Sequence, residues 1–126
     1  MKKELFIGVF FTLIIAAAIV NIYFLNKLTD HVTQLVDEAG AYAAAEKWDA
    51  AGRKAEEASA LWEGSDGYTH LVLRHPEIDA ATDALYDLLE KIYARESGGA
   101  EGAAKAARAR LHSISAIEQI KIGSIF

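Results

Sequence analysis

The sequence has no cysteine and only one proline, Pro76. Without cysteine, disulfide bonds, thiol catalysis and cysteine-ligated zinc sites are excluded. β-Branched runs are scarce outside the N-terminal segment and alanine is abundant, so the composition favours helix along nearly the whole chain. The glycine-rich stretches lack the strand and the lysine that a phosphate-binding loop requires, and no serine lies in a nucleophile elbow. We therefore expect an all-α protein that is not an enzyme.

Positive charge is also scarce. Residues 26–126 carry eleven Lys and Arg against seventeen Asp and Glu, which gives a net charge of −6 with His neutral. Nucleic acids and anionic lipid headgroups are bound by clustered positive charge. An acidic domain of this kind is therefore a poor candidate for binding either of them.

The most prominent feature that is present is an uncharged apolar run, Leu5–Leu25. Among its twenty-one residues only Thr12 and Asn21 are clearly polar. As a helix with ~1.5 Å rise per residue it is roughly 31 Å long, about the thickness of the hydrocarbon core of a bilayer. In a helix the backbone N–H and C=O groups also form hydrogen bonds with one another, as they must in lipid, where water is absent. We expect residues 1–25 to be a membrane anchor and 26–126 to form a helical extracytoplasmic domain with one modest core.

A cleaved signal peptide is the main alternative to an uncleaved anchor. The alanines at 16–18 offer small residues for cleavage, and cleavage near Ala18 would release a secreted helical protein. The apolar run continues beyond them to Leu25, however, and is longer than the roughly 7–15 residues of a signal peptide. The anchor is the preferred interpretation. Lys2 and Lys3 precede the run and only Lys27 follows closely, so the positive-inside rule predicts a cytoplasmic N-terminus and a single-pass protein of the cell membrane.

Four amphipathic helices are predicted from the spacing of apolar residues. The first is expected to continue from the anchor without a break. The predicted ranges beyond the anchor are 27–46, 48–63, 76–96 and 100–121, with breaks at 63–67 and 97–99 and a short helical piece at 68–75. Short connections imply antiparallel neighbours, so an antiparallel bundle of about four helices follows. The helix pairs 28–62 and 76–120 form two loosely similar, TPR-like hairpins in this prediction.

Each predicted helix has one apolar stripe that is expected to face the core. The stripes consist of Leu28, Val32, Leu35, Val36, Ala39, Tyr42 and Ala43; Trp48, Ala51, Ala55, Ala58, Leu61 and Trp62; Ile78, Ala81, Leu85, Leu88, Leu89 and Ile92; and Ala103, Ala107, Leu111, Ile114 and Ile117. Small residues are frequent from Ala39 to the end of the second stripe, and residues 39–63 resemble one tetratricopeptide-type (TPR-like) hairpin. The resemblance lacks the full repeat pattern and indicates a style of packing, not a peptide-binding array.

One cluster, His70, His75, Glu77 and Asp79, could form a site. Histidine and carboxylate are suitable ligands for divalent metals. The two histidines are five residues apart, about 140° around a straight helix, and no zinc signature is present. The alternative is that Arg74 and His75 lie at a helix end, where cations oppose the negative end of the dipole. We expect no cofactor, and a metal- or small-ligand-binding domain remains the second functional hypothesis.

The aromatic residues also allow two interpretations, a binding groove or the hydrophobic core. Trp62 and Tyr68 could line a groove for an apolar partner, but at helical spacing such residues more often belong to the core. No nucleic-acid partner is expected. The expected partners are the lipid bilayer, through Leu5–Leu25, and a membrane protein or a second copy of the chain.

Several segments together resemble a known family. They are the anchor ending NIYFLNKLTD, the W-x-x-A-x-x-x-A helix from Trp48, the apolar Ile-Phe end and, most specifically, the LRH-x-EID stretch at 73–79. The chain resembles a family of small single-span bacterial membrane proteins, domain-of-unknown-function family 4363, over nearly its whole length. The resemblance implies a membrane anchor, a helical body and an accessory role beside another membrane protein. It carries over no catalytic residues, and the candidate interaction or motif residues are Trp62, Tyr68, Arg74, His75, Glu77 and Asp79.

Overall fold

A computed structural model of the protein describes residues 1–65 and 75–125, with the side chains of residues 75 and 117–125 left out of the description. Within these ranges the chain is helical and contains no strand, which confirms the all-α prediction. The helices are α1 (Lys2–Ala44), α2 (Trp48–Gly64), α3 (His75–Tyr93) and α4 (Ser97–Ile125). The short helical piece predicted at 68–75 lies almost entirely outside the described residues.

The four helices form an antiparallel bundle in which each helix packs against two others. α1 contacts α2 and α4, and α3 contacts the same two helices from the opposite side. The ring is therefore closed by α4 packing back on α1, the up-down-up-down arrangement expected for short connections. Whether the α1–α2 hairpin is related to a tetratricopeptide hairpin remains an interpretation of its alanine-rich packing.

Helix α1 is continuous through the end of the apolar run, as predicted. Its 43 residues correspond to a length of about 64 Å. Up to Phe24 no residue of α1 is buried, whereas from Leu25 onward one face is buried. The same helix therefore provides both the exposed apolar segment and one wall of the bundle.

Most residues of the predicted stripes are buried. Only partly buried are Leu28, Tyr42, Trp48, Leu61 and Leu89, and the core also includes Leu25, Ala100 and Ala104, which belonged to no predicted stripe. Its largest fully buried side chains are Leu25, Val32, Val36, Leu88, Ile92, Leu111 and Ile114. Between them lie many alanines, which bring the helix backbones close together. α1 and α4 approach closely at Gly40 of α1, where an added Cβ would lie 2.9 Å from the Cβ of Ala104 on α4. The predicted core residue Ile117 lies among those whose side chains are not described.

The helix ends differ from the predicted ones. α1 ends at Ala44 and not at residue 46, because Glu46 adopts a left-handed conformation with φ of 60°. The Lys47 amide then donates to the carbonyl of Tyr42 at 2.8 Å, and the Glu46 amide donates to Ala43 at 3.0 Å. This pair of bonds is the Schellman arrangement that closes many helices.

The α3–α4 turn repeats this arrangement and corrects the prediction of a break at 97–99. Arg95 has a φ of 56°, and its amide and that of Glu96 bond back to Ile92 and Lys91, both at 3.0 Å. The chain therefore reverses before the glycines, and α3 ends at Tyr93 instead of residue 96. α4 begins at Ser97, three residues before the predicted start, and extends to Ile125, beyond the predicted end at Lys121.

Candidate membrane-anchoring and partner-binding surfaces

Exposed apolar surface is concentrated in the N-terminal half of α1. Its large exposed side chains are Leu5, Phe6, Ile7, Val9, Phe10, Phe11, Leu13, Ile14, Ile19, Val20, Tyr23 and Phe24. Elsewhere in the described ranges, apart from Met1, the large hydrophobic residues that are exposed are Tyr86 and Tyr93. α1 is also the one helix there whose length and composition suit a membrane span, with a mean hydropathy of 2.7 in its most apolar window and none of that window buried.

Polar groups within this segment and next to its C-terminal end are arranged in ways compatible with lipid. The Thr12 hydroxyl donates to the Gly8 carbonyl at 2.9 Å, so the helix itself satisfies it. Next to the C-terminal end, the Lys27 ammonium lies 5.0 Å from the centre of the Tyr23 ring. An aromatic ring with a neighbouring cation is typical of the boundary between hydrocarbon and headgroups.

Further along the chain, ion pairs connect α1 to both of its neighbours. Glu38 pairs with Lys54 of α2 at 3.1 Å, and Asp37 pairs with Arg108 of α4 at 3.5 Å. The hydrogen bond to Glu38 raises the pKa of the Lys54 ammonium above its usual value. These pairs are solvent-exposed, so they define the register of the helices more than they stabilise the fold.

Trp62 fills the contact between α2 and α3. It is 2% exposed, and its indole N–H donates to the Thr82 hydroxyl at 3.0 Å. Burial and a satisfied N–H are properties of a packing residue, so the core alternative is favoured over a groove-lining role. Its partner in the groove hypothesis, Tyr68, lies outside the described residues.

Two tyrosine–glutamate pairs lie along the outer edge of the α2–α3 contact. The Tyr86 hydroxyl donates to Glu63 and the Tyr93 hydroxyl to Glu56, a spacing of seven residues on each antiparallel helix. Each hydrogen bond to a carboxylate raises the pKa of the tyrosine above its usual value. The sequence analysis missed these pairs. The equal spacing of two glutamates and two tyrosines was visible, but only the register of α2 on α3 gives it meaning.

The residues of the LRH-x-EID stretch fall at the start of α3. Asp79 is exposed and Glu77 is half-buried. One carboxylate oxygen of Glu77, Oε2, is buried and has no hydrogen-bond partner among the described residues. Glu77 lines a cavity of about 180 Å³ together with Arg110 and Ser113 of α4.

Of the predicted metal cluster, the structure describes the side chains of Glu77 and Asp79. His70 and Arg74 lie outside the described residues, and the side chain of His75 is not described. In the described part of the chain, no three histidine or acidic side chains come together as metal ligands.

The opposite end of the bundle, far from the apolar segment, carries an open cleft of about 420 Å³ between α2 and α3. Its lining combines arginines, carboxylates and aromatic rings: Trp48, Asp49, Gly52, Arg53, Glu56, Ile92, Tyr93 and Arg95. Charges of both signs line it, and one of its carboxylates, Glu56, is already bonded to Tyr93. The cleft therefore shows no preference for one class of ligand.

Comparison with known proteins identifies the chain by family alone. No curated protein and no solved structure matches it. A family model described as Domain of unknown function (DUF4363) matches residues 19–125, from within the apolar run to the end of α4. This match covers most of the chain and confirms the family resemblance that the LRH-x-EID stretch indicated. The protein belongs to the DUF4363 family.

Proposed function

We propose that the protein is a single-span membrane protein in which α1 holds the helical bundle at the membrane surface and contacts a membrane-protein partner or a second copy of the chain. The observation that carries this proposal is the exposure of most of the apolar half of α1, including twelve large hydrophobic side chains between Leu5 and Phe24. In water, an exposed apolar surface of this size would be strongly unfavourable. Lipid and a neighbouring transmembrane helix are the two environments that suit it.

The distribution of surface types supports an accessory role based on the anchor. The bundle buries its own apolar stripes, and its described surface is mainly charged. The anchor, in contrast, presents small residues at four-residue spacing, Gly8, Thr12 and Ala16, all exposed. Small residues at this spacing let two helix backbones approach closely in a membrane.

The proposed orientation follows from charge. Lys2 and Lys3 precede the apolar segment and Lys27 follows it. By the positive-inside rule the N-terminus is cytoplasmic and the bundle is extracytoplasmic. Cysteine labelling of an N-terminal and a bundle position in intact cells tests this orientation directly, because the chain has no cysteine of its own.

Crosslinking of the full-length protein in its native membrane tests the partner proposal. The variant removes the small-residue face of the anchor with Gly8→Leu, Thr12→Leu and Ala16→Leu, and keeps Leu25, which is buried in the bundle core. The matched control changes Val9→Leu, an exposed anchor position away from the small residues. A crosslinked membrane protein, or a crosslinked dimer, that is lost in the triple variant and kept in the control supports the proposal. Identical crosslinks with the triple variant would contradict it.

A second candidate function rests on Glu77. A buried carboxylate oxygen without a hydrogen-bond partner is energetically costly unless something binds it. A divalent metal shared with His70 and His75 would fulfil that role. Titration of the full-length protein with zinc or manganese tests this. Micromolar binding that is lost in both Glu77→Gln and His75→Ala would support the site, and no binding would exclude it.

A further inference from the structure

The register of α4 on α1 is defined by three contacts. Gly40 lies against Ala104, and Asp37 pairs with Arg108 at 3.5 Å. Closest to the anchor, the Ser115 hydroxyl donates to the side-chain carbonyl of Asn26. α4 therefore runs antiparallel to α1 and reaches the end of the apolar run at Ser115, since Asn26 directly follows Leu25.

α4 does not end at this point. It continues to Ile125, ten residues beyond Ser115. At ~1.5 Å per residue this extension is about 15 Å long, close to half of the roughly 30 Å hydrocarbon core. Because the two helices are antiparallel, an extension that continues in the same direction along α1 would reach the second half of the apolar segment.

The exposure of α1 provides an independent indication. Most of the apolar segment is exposed, but Ile15, Ala18 and Ile22 are half-buried. These three residues share a helix face with Leu25 and Thr29, which are buried, at alternating spacings of three and four residues. The bundle-facing stripe of α1 thus continues well into the apolar segment, as expected if α4 follows it there.

The sequence of the extension suits a membrane boundary. Residues 116–126 read AIEQIKIGSIF, with four isoleucines and a phenylalanine. The charged residues are Glu118, one turn beyond Ser115, and Lys121, whose long side chain can extend back toward the headgroups.

We infer that the end of α4 enters the leaflet on the bundle side of the membrane, so that the acyl chains and headgroup boundary of that leaflet are its binding partner. The bundle is then held by two membrane contacts, a spanning helix and a helix that enters one leaflet. This inference rests on the proposed span of α1. Two contacts would fix the rotation of the bundle about α1 as well as its height.

Depth measurements on single-cysteine variants test the inference, because the natural chain has no cysteine. Full-length Ile125→Cys, Phe10→Cys and Ala60→Cys proteins are labelled with a polarity-sensitive fluorophore and placed in phosphatidylcholine vesicles containing nitroxide-labelled lipid. Phe10 reports the anchor, and Ala60, exposed on α2, reports water. Ser124→Cys serves as a second position in case the label at Ile125 disturbs the helix.

The expected result is a blue-shifted emission at Ile125 and Ser124 and a quenching by lipid nitroxide several-fold stronger than at Ala60. If these two positions behave like Ala60 while Phe10 is strongly quenched, α1 spans the membrane but the end of α4 does not enter it, and the inference is wrong. If Phe10 is also unquenched, the proposed anchor fails and the inference fails with it.

Discussion

The substitution Gly40→Ala tests the packing of α1 on α4. Gly40 is buried, and an alanine Cβ there would lie 2.9 Å from the Cβ of Ala104. Carbon atoms in favourable contact are about 3.5–4.0 Å apart. The Ala104 Cβ is attached directly to the backbone of α4, so it cannot rotate away. The two helices must separate to admit the extra methyl group.

The expected magnitude is the balance of two opposing effects. Alanine in place of glycine in a helix interior stabilises by up to about 1 kcal/mol. Overpacking a closely packed core costs about 1–3 kcal/mol. Gly40→Ala should therefore lower the free energy of unfolding by up to about 2 kcal/mol. Gly102 offers a matched control, because it is an exposed residue of α4 with nothing within 4 Å of an added Cβ.

Urea unfolding of the full-length protein in mild detergent, followed by circular dichroism, measures both variants. Gly102→Ala should raise the free energy of unfolding by about 0.5–1 kcal/mol. The free energy of unfolding of Gly40→Ala should be about 1–3 kcal/mol lower than that of Gly102→Ala, and this difference is the overpacking cost alone. Adding Ala104→Gly to Gly40→Ala should recover the overpacking part of the loss. If Gly40→Ala stabilises as much as Gly102→Ala, the close approach of α1 and α4 is refuted.

Three further predictions use the same unfolding assay. Ser59 is buried, and its hydroxyl has no hydrogen-bond partner in the described ranges. Ser59→Ala should therefore stabilise the protein by about 1 kcal/mol. A loss of stability would show that the hydroxyl is bonded. Glu46 and Arg95 adopt left-handed backbone conformations at the helix ends, which glycine adopts more easily than other residues. Glu46→Gly and Arg95→Gly should therefore each stabilise the protein by a few tenths to about 1 kcal/mol. Destabilisation by both substitutions would contradict the turn geometry. Hydrogen bonds to glutamates raise the pKa of Tyr86 and Tyr93, so their stabilising effect is complete below about pH 10 and is lost as the pH rises through the higher folded-state value. As the pH rises above about 10, the double tyrosine-to-phenylalanine variant should therefore lose less stability than the natural protein. Equal losses would count against the pairs.

The helices and the core stripes could be predicted because apolar residues repeat with the helical period. The helix ends could not. Sequence logic places a turn at glycine, and Gly98 and Gly99 are the obvious candidates near the α3–α4 turn. The turn instead forms at Arg95, where backbone hydrogen bonds to the preceding helix turn offset the cost of a left-handed non-glycine residue. Such bonds depend on which neighbouring helices must be joined, which local sequence does not reveal.

The candidate surfaces were also predictable from the sequence only in part. The apolar segment was predictable because it is one contiguous run, and its continuation into the bundle followed from the lack of a helix breaker after Leu25. The Tyr86–Glu63 pair and the contact at Gly40 were not predictable, since each depends on the register between helices. For Trp62, the helical pattern was consistent with either a groove or the core, and its packing against α3 favours the core.

A distance measurement across the membrane boundary tests most directly whether α1 is one helix that passes from the bilayer into the bundle. Val9 in the anchor and Ala41 in the bundle are both exposed on α1. In a Val9→Cys, Ala41→Cys variant with two spin labels, 32 residues of unbroken helix correspond to about 48 Å between the labelled backbone positions. Double electron–electron resonance in lipid vesicles should give one narrow distribution near that distance. A broad distribution, or one centred well below it, would show that the helix breaks at the membrane surface and would contradict the rigid connection between anchor and bundle.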